Sequence, residues 1–215
     1  MILRAVGGLI ILGACFFLPA WTIKYWQAWL YLAVIFGPLL FIIIYFLKKN
    51  PEFLVSRMKV NEKATEQKWI VGLSGIPLTL AFILPGFDVR LGWSKVPDWL
   101  VWMSAFLVFA GYVFIILVFR ENNFASRVVE VTEGQKVIET GPYSIVRHPM
   151  YLGSIIMYVL TPLALGSAWA VIPALLMIPF LILRIINEEE LLVKELPGYA
   201  EYRQKVRYRL FPGIW

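Results

Sequence analysis

The residues able to do chemistry gather in the second half of the 215-residue chain, in three clusters. The first is Gly141 to Gly153, GPYSIVRHPMYLG, which holds the sole histidine, His148. Pro149 suits the first turn of a helix, where its missing N–H leaves no bond unmade. Arg147-His148-Pro149 is therefore expected at a helix N-terminus. Free N–H groups and the positive dipole end there suit an anion such as a carboxylate or phosphate. The plainer role, Arg and Tyr anchoring a lipid–water boundary, is equally open. The second cluster is Arg184-Ile-Ile-Asn-Glu188-Glu189-Glu190. Arg184 and Glu188 are four apart and share a helix face. They follow the apolar run Phe180–Leu183, where an ionisable group is costly and points to function. Its alternative is the charged end of an apolar helix reaching water. The third cluster, Leu196 to Trp215, alternates aromatic and charged residues. Taken alone it reads as an amphipathic segment lying on headgroups.

Several chemistries are absent from the sequence. No G-x-G-x-x-G follows a strand, and no G-x-x-x-x-G-K-[ST] loop is present. One histidine and one distant cysteine, Cys15, cannot build a zinc site, so no metal is expected. Spacing supports no Ser/His/Asp constellation. The apolar runs carry almost no charge, which disfavours a proton or ion pathway. Cys15 and the scattered methionines are expected to pack or to face lipid.

These clusters need elements to hold them, and composition limits what those are. Hydrophobic residues make up 60% and charged residues 16%. A soluble domain averages about 45–50% and about 25%. A soluble globule, a disordered chain, a disulfide scaffold and a collagen-like fibre are thereby excluded. Apolar runs of roughly 20 residues predict transmembrane helices. They fall at about Ile2–Ala20, Gln27–Leu47, Trp69–Leu84, Trp99–Phe119, Pro149–Leu165 and Ala168–Ile186. The third is the weakest, interrupted by Gly72, Gly75 and Pro77, and a re-entrant course is open for it. Pro85–Pro97 reads as a loop. Leu165-Gly166-Ser167-Ala168 reads as the turn of a helical hairpin. The connection from Arg120 to His148 is polar and contains short β-prone runs, which predict a small hairpin or an irregular lobe.

Charge orients the spans. The net charge is +6, from 20 Lys and Arg against 14 Asp and Glu. With six spans, 17 of the basic residues fall on one side and 3, Lys24, Arg90 and Lys95, on the other. The richer side is assigned to the cytoplasm. The basic balance thus reads as topology, and no nucleic-acid partner is expected. The expected architecture is an all-α integral membrane protein of about six transmembrane helices. Residues 1–119 supply four spans, and residues 120–215 hold the polar clusters in which any chemistry would lie. A small cytoplasmic lobe is expected from the 120–148 connection and the C-terminal segment.

Taken in order, Gln135 to Ile138, Gly141-Pro142-Tyr143, Arg147-His148-Pro149-x-Tyr151-x-Gly153 and Arg184-x-x-x-Glu188-Glu189-x-x-Leu192 resemble a known family. It is the isoprenylcysteine carboxyl methyltransferase family, related to the membrane phospholipid methyltransferases. The resemblance covers about Arg120 to Trp215. It implies S-adenosylmethionine as cofactor, held without a Rossmann domain in a cytoplasmic pocket roofed by the C-terminal segment. It implies that Gln135, Lys136, Val137, Ile138, Tyr143, His148, Pro149, Met150, Tyr151 and Glu188 line the cofactor. Arg184 would face the substrate, a lipophilic or lipid-modified acceptor, most simply a carboxylate such as a prenylcysteine-like group. A lipid amine or a small thiol is an alternative acceptor. Because the C-terminal segment is also similar to that of membrane sterol reductases, a nicotinamide-dependent reductase is a second alternative. A non-enzymatic membrane scaffold is the third.

Overall fold

The computed structural model describes residues 2–49, 65–125 and 128–215. Most of the polar link from Pro51 to Lys68, with Arg57, Lys59 and Lys63, lies outside the described residues, as does Arg127. The chain forms α1 (Ile2–Ala20), α2 (Trp26–Lys49), α3 (Thr65–Leu91) and α4 (Asp98–Glu121). A 3-10 turn at Gly141–Ser144 precedes α5 (Pro149–Ala164), α6 (Val171–Leu175), α7 (Met177–Glu195) and α8 (Tyr199–Lys205). No strand occurs among the described residues, in keeping with the all-α expectation. In lipid a helix satisfies its own backbone groups, so long apolar runs have little alternative.

Among the described residues, four helices are long and apolar enough to cross a membrane: α2, α3, α4 and the continuous stretch α6–α7, each 24 or 25 residues long. At 1.5 Å per residue each reaches about 36 Å, beyond the ~30 Å hydrocarbon core. The described apolar part of α1, Ala5–Ala20, and α5 are shorter. The 16 residues of α5 span only about 24 Å. The length criterion therefore supports four of the six expected spans.

The third helix differs from expectation. It does not stop at Leu84 but runs through Pro85 to Leu91. Proline forfeits one helical bond, yet the last turn is held from outside. Asp88 is buried and accepts from the Ser94 amide at 2.7 Å, the Ser94 hydroxyl at 2.6 Å and the Ser167 hydroxyl at 2.5 Å. Gly86, expected as a loop residue, is instead a packing residue. A Cβ there would lie 2.6 Å from the Phe16 carbonyl oxygen of α1. The expected hairpin turn forms, with Gly166 at φ +77°. The sixth apolar run is also longer than expected. Its helix continues beyond Ile186 to Glu195 and carries Glu188 and Glu189 on regular helix.

Helices α4 and α5 pack along their length through glycines. A Cβ on Gly153 would meet the Ile115 side chain at 2.7 Å and the Gly111 carbonyl oxygen at 3.3 Å. Small residues let membrane helices approach this closely. The 128–140 connection is an irregular lobe with a turn closed by Gln135 N–H to the Thr132 carbonyl at 3.0 Å. It packs on α8: Val131 and Val137 cover the cluster of Leu196, Tyr199 and Tyr202.

Candidate functional site

One end of the bundle is organised around Glu189. The site begins with α7, whose helical register points Glu189 inward, 2% exposed. Arg147 Nε donates to Glu189 Oε1 at 2.6 Å, and His148 Nε2 lies 3.2 Å from the same oxygen. Arg209 Nε donates to Oε2 at 2.8 Å, its guanidinium lying 4.9 Å from the centre of the Trp215 ring. Arg147 also donates through Nη1 to the carbonyls of Val206 and Arg207, at 2.8 and 2.7 Å. The backbone amides of Arg147 and His148 donate to the carbonyls of Tyr208 and Arg209, both at 2.9 Å. The segment after α8 is thereby stitched to the start of α5. It does not project as a separate amphipathic strip: Leu210 and Trp215 pack with Tyr151, Ile155, Leu181 and Ile185. A buried carboxylate needs such pairing, because removing charge from water costs several kcal/mol per ion.

Pro149 opens α5 as expected, with His148 just before it. The group that meets the Arg147 and His148 side chains is the chain's own Glu189. Pro149 itself starts the helix and does not line the neighbouring cavity. The other expected site residues do. Gln135, Lys136, Val137, Ile138, Tyr143, His148, Met150, Tyr151, Arg184 and Glu188 all line one cavity of about 820 Å³, its open mouth included. The lobe supplies one wall, α5 and α7 the floor, and α8 the roof, through Tyr199 and Tyr202. Burial pushes the phenols of Tyr199 and Tyr202 above their ordinary range.

On the floor of the cavity a chain of hydrogen bonds joins α7 to α5. Arg184 Nε donates to the Tyr151 hydroxyl at 3.0 Å, and Tyr151 donates to Glu188 Oε2 at 2.7 Å. Arg184 and Glu188 thus share a face and are coupled through a phenol. Arg184 Nη1 also donates to Gln67 Oε1 on α3 at 3.2 Å. That contact fixes the Gln67 amide, since a guanidinium offers only donors. Chemically, the cavity combines an acceptor carboxylate, a guanidinium held in place, and aromatic and apolar walls. Among the described residues no group of three or more His, Cys, Asp or Glu is arranged to hold a metal ion.

Sequence reasoning missed Glu189 as an organising residue, and with it the partnership of Arg147 and Arg209. The Glu188-Glu189 pair was visible, but which one turns inward is a matter of helix phase. Tyr199 was visible only as one aromatic among several. Gln67 carried no signal, because nothing in its local sequence places it beside Arg184.

No curated protein matches this chain. A family model does: residues 99–197, from the start of α4 to just past α7, match the family described as phospholipid methyltransferase. The match takes in α5 and α7 and all but the roof of the cavity. Over that segment, a little under half of its length, the chain is similar to the phospholipid methyltransferase family.

Proposed function

We propose that this protein transfers the methyl group of S-adenosylmethionine to a lipophilic acceptor bearing a carboxylate, at the cytoplasmic face of a membrane. The observation that carries the reading is the convergence of residues from the lobe, α5 and α7 on a single cavity. The donor set fits such a cofactor. Glu188 accepts hydrogen bonds from hydroxyl, amino or ammonium groups. Val137, Ile138, Tyr143 and Met150 offer apolar and aromatic surface to a base. His148 belongs to the same wall. Bound there, S-adenosylmethionine supplies a methyl group already activated by its sulfonium, so no metal is required.

The chain's own work is alignment and exclusion of water. A carboxylate acceptor is ionised at neutral pH and needs no general base. It needs a fixed cation, and Arg184 is permanently charged with a planar fork. Tyr151 and Gln67 hold that fork. Holding two reactants in line can lower a barrier by several kcal/mol. The α8 roof and the Glu189 cluster keep the cavity walls rigid while the acceptor's chain remains in lipid.

Six spans with both termini on the cytoplasmic side accord with the 17-to-3 division of basic residues. In a variant with Cys15→Ala, cysteines placed singly at Lys95 and Gln204 should label from opposite sides. Labelling of both from one side would sink this topology.

A second acceptor class is favoured by the name of the matching family: a phospholipid amine. Transferred radiolabelled methyl separates the two. A methyl ester releases volatile methanol in base, whereas an N-methyl product does not. Calorimetric titration of purified protein with S-adenosylhomocysteine and with a reduced nicotinamide nucleotide tests the cofactor. Binding of the nucleotide alone would replace the methyltransferase reading with a reductase one, and binding of neither would leave a scaffold.

A further inference from the structure

The two tyrosines of α8 stand side by side, ring centroids 5.6 Å apart, and use their hydroxyls differently. Tyr202 donates to the Tyr143 carbonyl at 2.7 Å, which ties the roof to the 3-10 turn. Tyr199 lines the cavity, is 4% exposed, and its hydroxyl has no hydrogen-bond partner among the described residues. An unsatisfied buried hydroxyl opposes folding. Packing does not call for it, since a phenylalanine ring would cover Leu196 and Val137 equally well. The hydroxyl therefore points to a partner that arrives with a ligand.

The surroundings restrict that partner. Burial, and then the negative charges of Glu189 and Glu188, push the Tyr199 phenol above its ordinary range. It remains a neutral donor, and the same charges disfavour an anionic group beside it. Glu188 has one oxygen occupied by Tyr151, and its other oxygen can only accept. A ligand group lodged between the two must accept from a phenol and donate to a carboxylate. A carboxylate cannot donate and an ammonium cannot accept. Adjacent hydroxyls do both. The adenine edge also pairs a donor with an acceptor, but its ring nitrogen would turn a lone pair toward Glu188. A carboxylate is the natural partner of a ribose hydroxyl, as in dinucleotide sites.

We infer that Tyr199 and Glu188 clasp the ribose diol of the bound nucleoside, one hydroxyl accepting from Tyr199 and its neighbour donating to Glu188. The inference rests on the proposed cofactor reading and adds a residue beyond the segment that matches the family model. It also makes α8 a roof stabilised by the cofactor: the hydroxyl is unsatisfied in the empty cavity and satisfied in the filled one.

The test is Tyr199→Phe in the full chain, with two readouts. Without ligand, the thermal midpoint in detergent should equal or exceed that of the wild type. Affinity for S-adenosylhomocysteine should fall about three- to tenfold, the range for one neutral hydrogen bond. Against the 2′-deoxy or the 3′-deoxy analogue, the gap between wild type and variant should close. Against an analogue lacking the adenine amino group it should persist. Unchanged affinity for S-adenosylhomocysteine, a gap undiminished with both deoxy analogues, or a lowered midpoint without ligand would each overturn the clasp. Failure of the wild type itself to bind S-adenosylhomocysteine would overturn the cofactor reading, and the clasp with it.

Discussion

Asp88 and Glu189 are buried to nearly the same degree, 1% and 2% exposed, yet their surroundings have little in common. Asp88 lies near the end of α3 remote from the cavity. Gln67, near the start of that helix, meets Arg184, and Asp88 is about 30 Å farther along at 1.5 Å per residue. Its partners are neutral: one backbone amide and two serine hydroxyls. They draw α3, the loop after it and the α5–α6 turn together. Glu189 is met by two guanidiniums and an imidazole. Neutral donors suffice to close the end of a bundle. A guanidinium pair adds direction, because a planar fork fixes both partners. The end that must hold a cavity open to a precise shape is thus built from ions, and the end that must only stay shut is built from hydroxyls.

The largest effect should follow from breaking the ionic end. Glu189→Gln leaves the buried Arg147 and the half-buried Arg209 without their counter-charge. Breaking a buried pair from one side typically costs about 3–5 kcal/mol. A thermal or denaturant melt in detergent should show severe loss. A variant as stable as the wild type would mean that backbone stitching alone holds the segment after α8.

Next in size is a change of function without loss of fold. Arg184→Ala should lower turnover by about a hundredfold, the scale of losing alignment at a reacting centre. Arg184→Lys should recover little, since the charge returns without the fork. Stabilisation by S-adenosylhomocysteine should survive in both. Should the folded Arg184→Ala protein lose that stabilisation, Arg184 belongs to the cofactor side of the cavity.

Glu188→Gln sharpens the contrast within one helix turn. It removes a charged acceptor from the cavity while leaving the Glu189 cluster intact. A charge-assisted hydrogen bond is worth about 1.5–3 kcal/mol. Affinity for S-adenosylhomocysteine should drop roughly ten- to a hundredfold, with the unliganded melting point little changed. Equal affinity in calorimetry would remove Glu188 from the site.

The smallest effect is expected at the neutral end. Asp88→Asn turns one acceptor into a donor facing serine groups and should cost about 1–3 kcal/mol of stability. Cofactor affinity should not move. If it did, the two ends would be coupled along α3, through Gln67 to Arg184.

Much of this protein was legible from local patterns. Membrane character follows from composition, because lipid admits long apolar runs and little else. The start of α5 at Pro149 follows from proline stereochemistry, and the α5–α6 turn from Gly166. Nine of the ten residues expected to line the cofactor do share a cavity, together with Arg184. They recur as ordered short motifs, which a sequence can carry. Tertiary structure decided what depends on distance in space. Gly86 read as a loop residue because only the approach of α1, with the Phe16 carbonyl oxygen 2.6 Å from a would-be Cβ, reveals it as a packing residue. Pro85 read as a stop because the Asp88 bonds that hold the turn beyond it come from Ser94 and Ser167. Glu188 and Glu189 are identical as letters. A rotation of about 100° per residue sends one into the cavity and the other into a cluster of cations. Tyr199 and Tyr202 are equally alike in sequence, and only the Tyr143 carbonyl beside one of them leaves the other free to meet a ligand.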